Sequence, residues 1–352
     1  MKKQYGPVFA LAAAASFGGT TAAAKALLGE VQPFMLAGLL YLGAGIGLTV
    51  VILGRRVLQT RSRPRISISR MDLPWLAGAV FAGGILAPLM LMWGLQRTPA
   101  STVSLLLNLE GVLTVLIAWF IFKENMGSRI LLGMIAIVIG AAILSITHGG
   151  GPDQGLIGRV AVIGACLGWA IDNNLTRRIS AGDPSVIAGI KGLVAGAINV
   201  SIASALGQSL PGAGIFALSG LVGFIGYGAS LVLFVLALRD IGAARTGVLF
   251  STGPFIGAVA AILILGEQAR PILIPASILM GLGLWLQLGE KHHHEHIHDR
   301  IEHAHSHSHD DHHDHDHDGL SITNKRHHHL HVHDEETHSH NHYPDIHHRH
   351  DH

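Results

Sequence analysis

Histidine and carboxylate crowd one end of this chain. Residues 291–318 read KHHHEHIHDRIEHAHSHSHDDHHDHDHD, after 290 residues that hold a single histidine, His148. Neutral imidazole suits nickel, zinc, copper and cobalt, and neighbouring carboxylates add oxygen ligands and attract cations. The candidate ligands are His292, His293, His294, His296, His298, His303, His305, His307, His309, His312, His313, His315 and His317. Their spacing encloses no single tetrahedral site. The expectation is a set of weakly selective sites whose affinity falls as imidazole protonates near pH ~6.5. An affinity tag is one plain alternative, and irregular spacing with interspersed Asp and Glu argues against it. A solvated tail with no part in function is another.

The remaining chemistry sits inside apolar sequence. Glu110 lies near the middle of one apolar stretch, two residues after Asn108. Ionisable groups are costly at membrane depth and are functional candidates there. A carboxyl so placed can take up and release a proton during a transport cycle; a hydrogen-bonded structural acid is the alternative. Asp172 and Lys191 lie in consecutive apolar stretches, each seven residues from the stretch end, Ile179 or Pro184, that borders the turn around Asp183. Equal distance gives equal depth, about 10 Å at a rise of about 1.5 Å per residue. They are expected to pair, with Asn173 and Asn174 completing the hydrogen bonding. Such a pair serves structure as readily as transport, and the two amides could ligate a cation or an amino acid. Met90 and Met92 are soft metal ligands by chemistry, but their helical spacing points them to different faces, as in packing. No Walker loop, G-x-S-x-G or H-E-x-x-H occurs, so no enzyme is expected and no cofactor is required. Transport would run on an ion gradient or passively.

The elements that hold these groups follow from composition. Only 13% of residues are charged and mean hydropathy is +0.43, against about 25% charged in soluble domains. That places the chain in the lipid bilayer, and nothing points to nucleic acid. At about 20 apolar residues per span, ten candidates emerge. They are Pro7–Leu28, Pro33–Leu53, Leu73–Leu95, Ala100–Phe122 and Arg129–Thr147, then Gly158–Ile179, Pro184–Leu206, Ile215–Leu238, Ala243–Leu265 and Pro271–Leu288. The first resembles a signal peptide with Ala22-x-Ala24 as cleavage site, but its apolar run continues to Leu28, which favours a signal anchor. The single cysteine, Cys166, excludes an internal disulfide and reads as a small packing residue.

Lys and Arg mark the cytoplasmic side. With Lys2 and Lys3 inside, Arg55, Arg56, Arg61, Arg63, Arg65, Arg70, Lys123, Arg129, Arg177, Arg178, Arg239 and Arg245 also fall inside, against Arg97, Arg159 and Arg270 outside. Both termini are then cytoplasmic, in a bacterial-type inner membrane. Low apolar content after residue 290 leads to the expectation of a disordered tail.

The two halves resemble each other. PFMLAGLLYLGAG from Pro33 aligns with PSVIAGIKGLVAG from Pro184, and residues 100–124 align with 243–267, both ending in glutamate at Glu124 and Glu267. Five spans per half is odd, so the second half must be inverted, the plan of many secondary transporters. The fold class is an all-α integral membrane protein, ten transmembrane helices in two inverted five-helix repeats, plus the tail. The divisions are 5–149, 157–289 and 290–352.

On the segments GWAIDNNLTRRIS (168–180), SLLLNLEGVLTVLIAWFIFKE (104–124) and AARTGVLFSTGPFIGAVAAILILGE (243–267), the chain resembles the drug/metabolite transporter superfamily, more narrowly its EamA-domain transporters. The resemblance covers about residues 5 to 289. It implies export of amino acids, metabolites, drugs or, in some members, metals. Lys25 lies near the outer end of the first stretch and could snorkel to the surface, while the resemblance puts a polar side chain there near the central cavity. Gly111 stands where related sequences often carry proline, so a helix break is carried over only at Pro254. The tail tilts the expected cargo toward a divalent metal, nickel or cobalt before zinc, exchanged for protons. The alternatives are an amino-acid or metabolite exporter whose tail only buffers metal, and a membrane metal sensor that transports nothing. A homodimer is compatible with all three.

Overall fold

The computed structural model describes residues 5–58, 72–122, 127–146, 152–178, 184–288, 295–298, 301–307, 327–333 and 336–339. Residues 1–290 and 291–352 form two units, each treated by itself. In the first, nine helical stretches among the described residues are long and apolar enough to cross a bilayer. They are Gly6–Leu27, Pro33–Arg55, Leu73–Arg97, Ala100–Ile121, Ser128–Ser145, Gly155–Thr176, Pro184–Ala205, Ala213–Leu238 and Arg245–Leu265, followed by a shorter apolar helix, Leu273–Gln287. We number these spans one to ten. Their apolar side chains point outward as well as inward: Leu263 is 76% exposed and Trp285 70%. Water would penalise such a surface, whereas lipid accepts it and demands only that the backbone satisfy itself, as a helix does.

Pro33 and Pro184 each occupy the first residue of their helix, where the missing N–H has no partner to lose. The two prolines therefore mark matched helix starts in the two halves.

Packing follows a two-fold pattern. The second span lies against the seventh, the fifth against the tenth and the fourth against the ninth. The first lies against the eighth and ninth, and the sixth against the third and fourth. Exchanging each span with the one five places later maps this set of pairings onto itself. That is the packing of two inverted halves about a pseudo-two-fold axis. Close crossings depend on bare backbone. Gly45 meets Gly192 where the second and seventh spans cross, and Gly133 meets Gly283 between the fifth and tenth. A Cβ at any of the four would collide with the facing helix. Without a hydrophobic drive between helices in lipid, such contact is what holds them together.

Hydrogen bonds bring two pairs of span ends together. The Gly6 amide, opening the first span, donates to Asp240 between the eighth and ninth (2.5 Å). The Ala100 and Ser101 amides, opening the fourth span, donate to Glu267 (2.6 and 3.0 Å), and Ser101 Oγ adds a third bond (2.7 Å). A carboxylate at a helix N-terminus satisfies amides that lack helical partners and suits the helix dipole. The helix Ser230–Phe250 joins the eighth and ninth spans by turning back on itself. Phe234 and Phe250 have ring centroids 4.9 Å apart, where a straight helix would separate them by about 24 Å.

In the second unit, Glu295–His298 pairs antiparallel with Glu336–Ser339, and Ile301–His307 with His327–His333. The composition argued for disorder over this stretch. In Glu295–His298 and over His303–His307 histidine alternates with other residues, a period of two that matches a strand. Each ladder has two strands, which is marginal without a packed face. His296, His298, His303, His305 and His307 lie in these strands. His292, His293, His294, His309, His312, His313, His315 and His317 lie outside the described residues.

Candidate functional site

Two helices break at matched positions. The fourth span divides into Ala100–Leu106 and Leu109–Phe122. The ninth breaks between the helices Ser230–Phe250 and Gly253–Leu265. Aligning residues 100–124 with 243–267 sets Asn108 beside Ser251. At both breaks the backbone tightens to bonds three residues back, from Asn108 N to Leu105 O (3.1 Å) and from Thr252 N to Leu249 O (3.3 Å). Asn108 Nδ2 adds a second bond to Leu105 O (2.9 Å), and side chains take up the carbonyls so released: Cys166 Sγ donates to Leu106 O (3.6 Å) and Ser251 Oγ to Val248 O (2.8 Å). The expectation that a break needed proline is therefore corrected at Gly111. Pro254 opens the helix after the ninth-span break, but in the fourth span the asparagine amide does the equivalent work.

The third and eighth spans each contain a π-helical stretch, Val80–Leu86 and Phe224–Ala229, again at matched positions. Nothing in the sequence singles out either stretch. A π turn releases carbonyls from the regular ladder. Gly83 O accepts from Tyr41 Oη (2.9 Å) and Trp169 Nε1 (3.0 Å), and Gly84 O accepts from Asn199 Nδ2 (2.9 Å). Trp169 Nε1 also reaches Tyr41 Oη at 3.1 Å.

Both breaks open onto one cavity of about 320 Å³. The fourth span contributes Leu107, Asn108, Glu110 and Gly111, and the ninth contributes Phe250, Ser251 and Pro254. Phe17, Tyr41, Trp169, Tyr227 and Leu284 come from the first, second, sixth, eighth and tenth. The volume lies at the lower end of small-molecule sites. The rings form a chain. Phe250 and Phe17 centroids lie 5.6 Å apart, Phe17 and Tyr227 6.2 Å, and Tyr227 and Tyr41 5.6 Å.

The polar candidates separate into two groups. Glu110 joins the cavity to the sixth span: its Oε1 accepts from Asn173 Nδ2 (2.9 Å), which also reaches Thr114 Oγ1 (3.4 Å). Asn174 Nδ2 donates to Thr114 O (3.2 Å) and Ala170 O (2.8 Å). Asp172 and Lys191 meet, Nζ to the two carboxylate oxygens at 2.5 and 2.6 Å. The expectation that Asn173 and Asn174 would complete that pair is corrected. Thr176 does so, donating to Asp172 Oδ1 (2.8 Å). One helical turn separates Asp172 from Thr176, whereas successive side chains point to different sides, which turns both asparagines toward the fourth span.

Lys25 is also corrected. It does not line the cavity; its Nζ caps the end of the third span, donating to Leu95 O (2.5 Å), Gln96 O (3.3 Å) and Thr98 O (3.0 Å). Glu267 caps the fourth span, while Glu124 lies outside the described residues. Met92 is buried in the core and Met90 packs on Gly164. Among the described residues no group of three or more His, Cys, Asp or Glu could hold a metal ion. The five cavity rings, by contrast, were not singled out from sequence. Each is an ordinary apolar residue of its own span, and only packing of both halves makes them neighbours.

A bundle of inverted halves with broken helices meeting at a central cavity defines a multi-pass membrane transporter. The chain belongs to the EamA-like transporter family, whose profile matches residues 4–146 and again 156–289. It is 29% identical over 300 residues to an uncharacterized transporter of Methanothermobacter thermautotrophicus, covering 80% of this chain and 83% of that protein. It is 25% identical over 184 residues to the uncharacterized transporter YetK of Bacillus subtilis, covering 51% and 54%. A solved crystal structure shares the fold at a TM-score of 0.58 and 17% identity, over 81% of this chain and 96% of that one.

Proposed function

We propose that the protein is a secondary exporter of a small organic solute in exchange for protons, with Glu110 as the group that both must use. The carrying observation is the cavity itself, where the two helix breaks meet and one carboxyl stands among aromatic rings. Protonation of Glu110 removes the charge that a solute or its hydrogen bonds would engage. Deprotonation restores it. Alternation of the two halves about this point would then couple the opposite movements of solute and proton. Asp172–Lys191, tying the sixth span to the seventh, would hold those spans together through the cycle. The distribution of Lys and Arg supports termini and a tail on the cytoplasmic side.

The tail's composition still puts nickel, cobalt and zinc on the list of cargoes. The cavity's lining contains neither the histidine nor the methionine that such cargo would prefer, so the organic reading ranks first and the tail becomes a buffer or sensor of metal. Proteoliposomes holding the full chain and a pH-sensitive dye test the exchange. A panel of small amines, amino acids, sugars and nickel is added across an imposed proton gradient. At least one organic solute is expected to discharge the gradient, and Glu110→Gln to abolish the response. Proton movement with nickel alone would replace the organic reading by the metal one; none with any solute sinks proton exchange.

A further inference from the structure

Resting on that reading of the cavity as the solute site, we infer that its preferred occupant is a small organic cation, an ammonium compound without a carboxylate. The lining holds one acid, Glu110, and neither lysine, arginine nor histidine. The two nearby lysines are engaged elsewhere. Lys191 lies on both oxygens of Asp172, and Lys25 lies on carbonyls at the end of the third span. A carboxylate, phosphate or zwitterion entering the cavity would bring a negative charge that no lining cation balances. Such a charge taken out of water without a partner is strongly disfavoured. A cation would instead meet Glu110.

The aromatic lining favours the same sign. Phe250, Phe17, Tyr227 and Tyr41 succeed one another at 5.6, 6.2 and 5.6 Å between centroids, and Trp169 joins them through its hydrogen bond to Tyr41. The polar edges of Tyr41 and Trp169 are occupied by the Gly83 carbonyl released by the π turn. What these residues leave to the cavity is ring surface. Ring faces carry negative quadrupole charge and attract ammonium groups, most strongly where water is excluded. A neutral apolar solute would use the rings but leave Glu110 unsatisfied, and a hydrated divalent ion would use Glu110 but gain little from the rings. An ammonium group carrying small alkyl substituents uses both. The volume, about 320 Å³, sets a compact upper size.

The test compares a cation with its uncharged isostere. Radiolabelled choline is bound to the purified full-length protein and competed by tetramethylammonium, by 3,3-dimethylbutan-1-ol (choline with carbon in place of the charged nitrogen), by glycine and by nickel chloride. The inference expects displacement by tetramethylammonium at concentrations at least tenfold below those needed for the neutral alcohol, glycine or nickel. It expects Glu110→Gln and Tyr227→Leu each to weaken choline binding at least tenfold, and Tyr227→Phe, which keeps the ring, to retain more affinity than Tyr227→Leu. Monodisperse elution of each variant separates loss of binding from loss of fold. Equal competition by the neutral alcohol or glycine overturns cation selection while leaving organic-solute transport standing. Competition by nickel matching tetramethylammonium shows recognition of charge without the rings and also overturns it. Absence of choline binding, with an amino acid or sugar but no amine discharging the proton gradient in the vesicle assay, overturns this inference alone; absence of choline binding and of any discharge removes the exporter reading with it.

Discussion

Asp172 and Lys191 show how a buried charge is tolerated at membrane depth. Their side chains are 9% and 16% exposed, and Thr176 completes the pair. Removing one partner strands the other, which costs about 3–5 kcal/mol for a buried pair, whereas removing both can be nearly neutral. Lys191→Met is therefore expected to lower the thermal midpoint in detergent sharply, and the double variant Asp172→Asn, Lys191→Met to recover most of it. If the double variant is as unstable as the single, the pair is more than mutual neutralisation. Transport by the double variant then assigns the role: retained exchange makes the pair a structural tie, and lost exchange makes it part of the cycle. Lys25 carries the companion lesson. The same residue type, also in a span, spends its charge on three carbonyls at a helix end, where a cation opposes the negative end of the helix dipole.

At the level of elements, irregular helices make the site. The breaks at Leu107–Asn108 and Ser251–Thr252 place side chains at the cavity wall, and the π turn at Val80–Leu86 provides the one carbonyl, Gly83 O, that positions Tyr41 and Trp169. Gly83 stands at the junction of these features. A Cβ there would collide with the Asp172 carboxylate, so Gly83→Ala must push on the ion pair while Gly83 O still holds two rings. Overpacking of this kind costs about 1–3 kcal/mol. The expected result is a lowered midpoint together with weaker solute binding, read by thermal shift and equilibrium binding on one preparation. A midpoint and affinity both equal to those of the unaltered protein would mean the third span can shift freely, against the linkage described. The same substitution at Gly111, where a Cβ meets nothing within 4 Å, is expected to be far milder in stability.

For the whole molecule, two inverted halves enclose the site and the tail stands as a separate unit. Deleting residues 290–352 is expected to leave the thermal midpoint of the bundle unchanged and to remove most of the nickel bound by the purified protein, as measured by calorimetric titration. Because imidazole must be neutral to ligate, nickel bound by the intact chain should decline as pH falls through about 6.5. Nickel binding undiminished by the deletion would place the metal in the bundle and revive metal as cargo. Sequence by itself determined the spans, their number and the inversion of the halves. Length in apolar residues is fixed by bilayer thickness, and an odd number of spans per repeat leaves no other topology. It also placed Asp172 opposite Lys191, because both distances run from one turn along regular helices. It did not foretell the π turns, the break beside Gly111, the capping role of Lys25 or the chain of aromatic side chains. Those depend on which carbonyls the irregular backbone releases and on which residues of five separate spans become neighbours. Both are set only when helices from the two halves pack against one another.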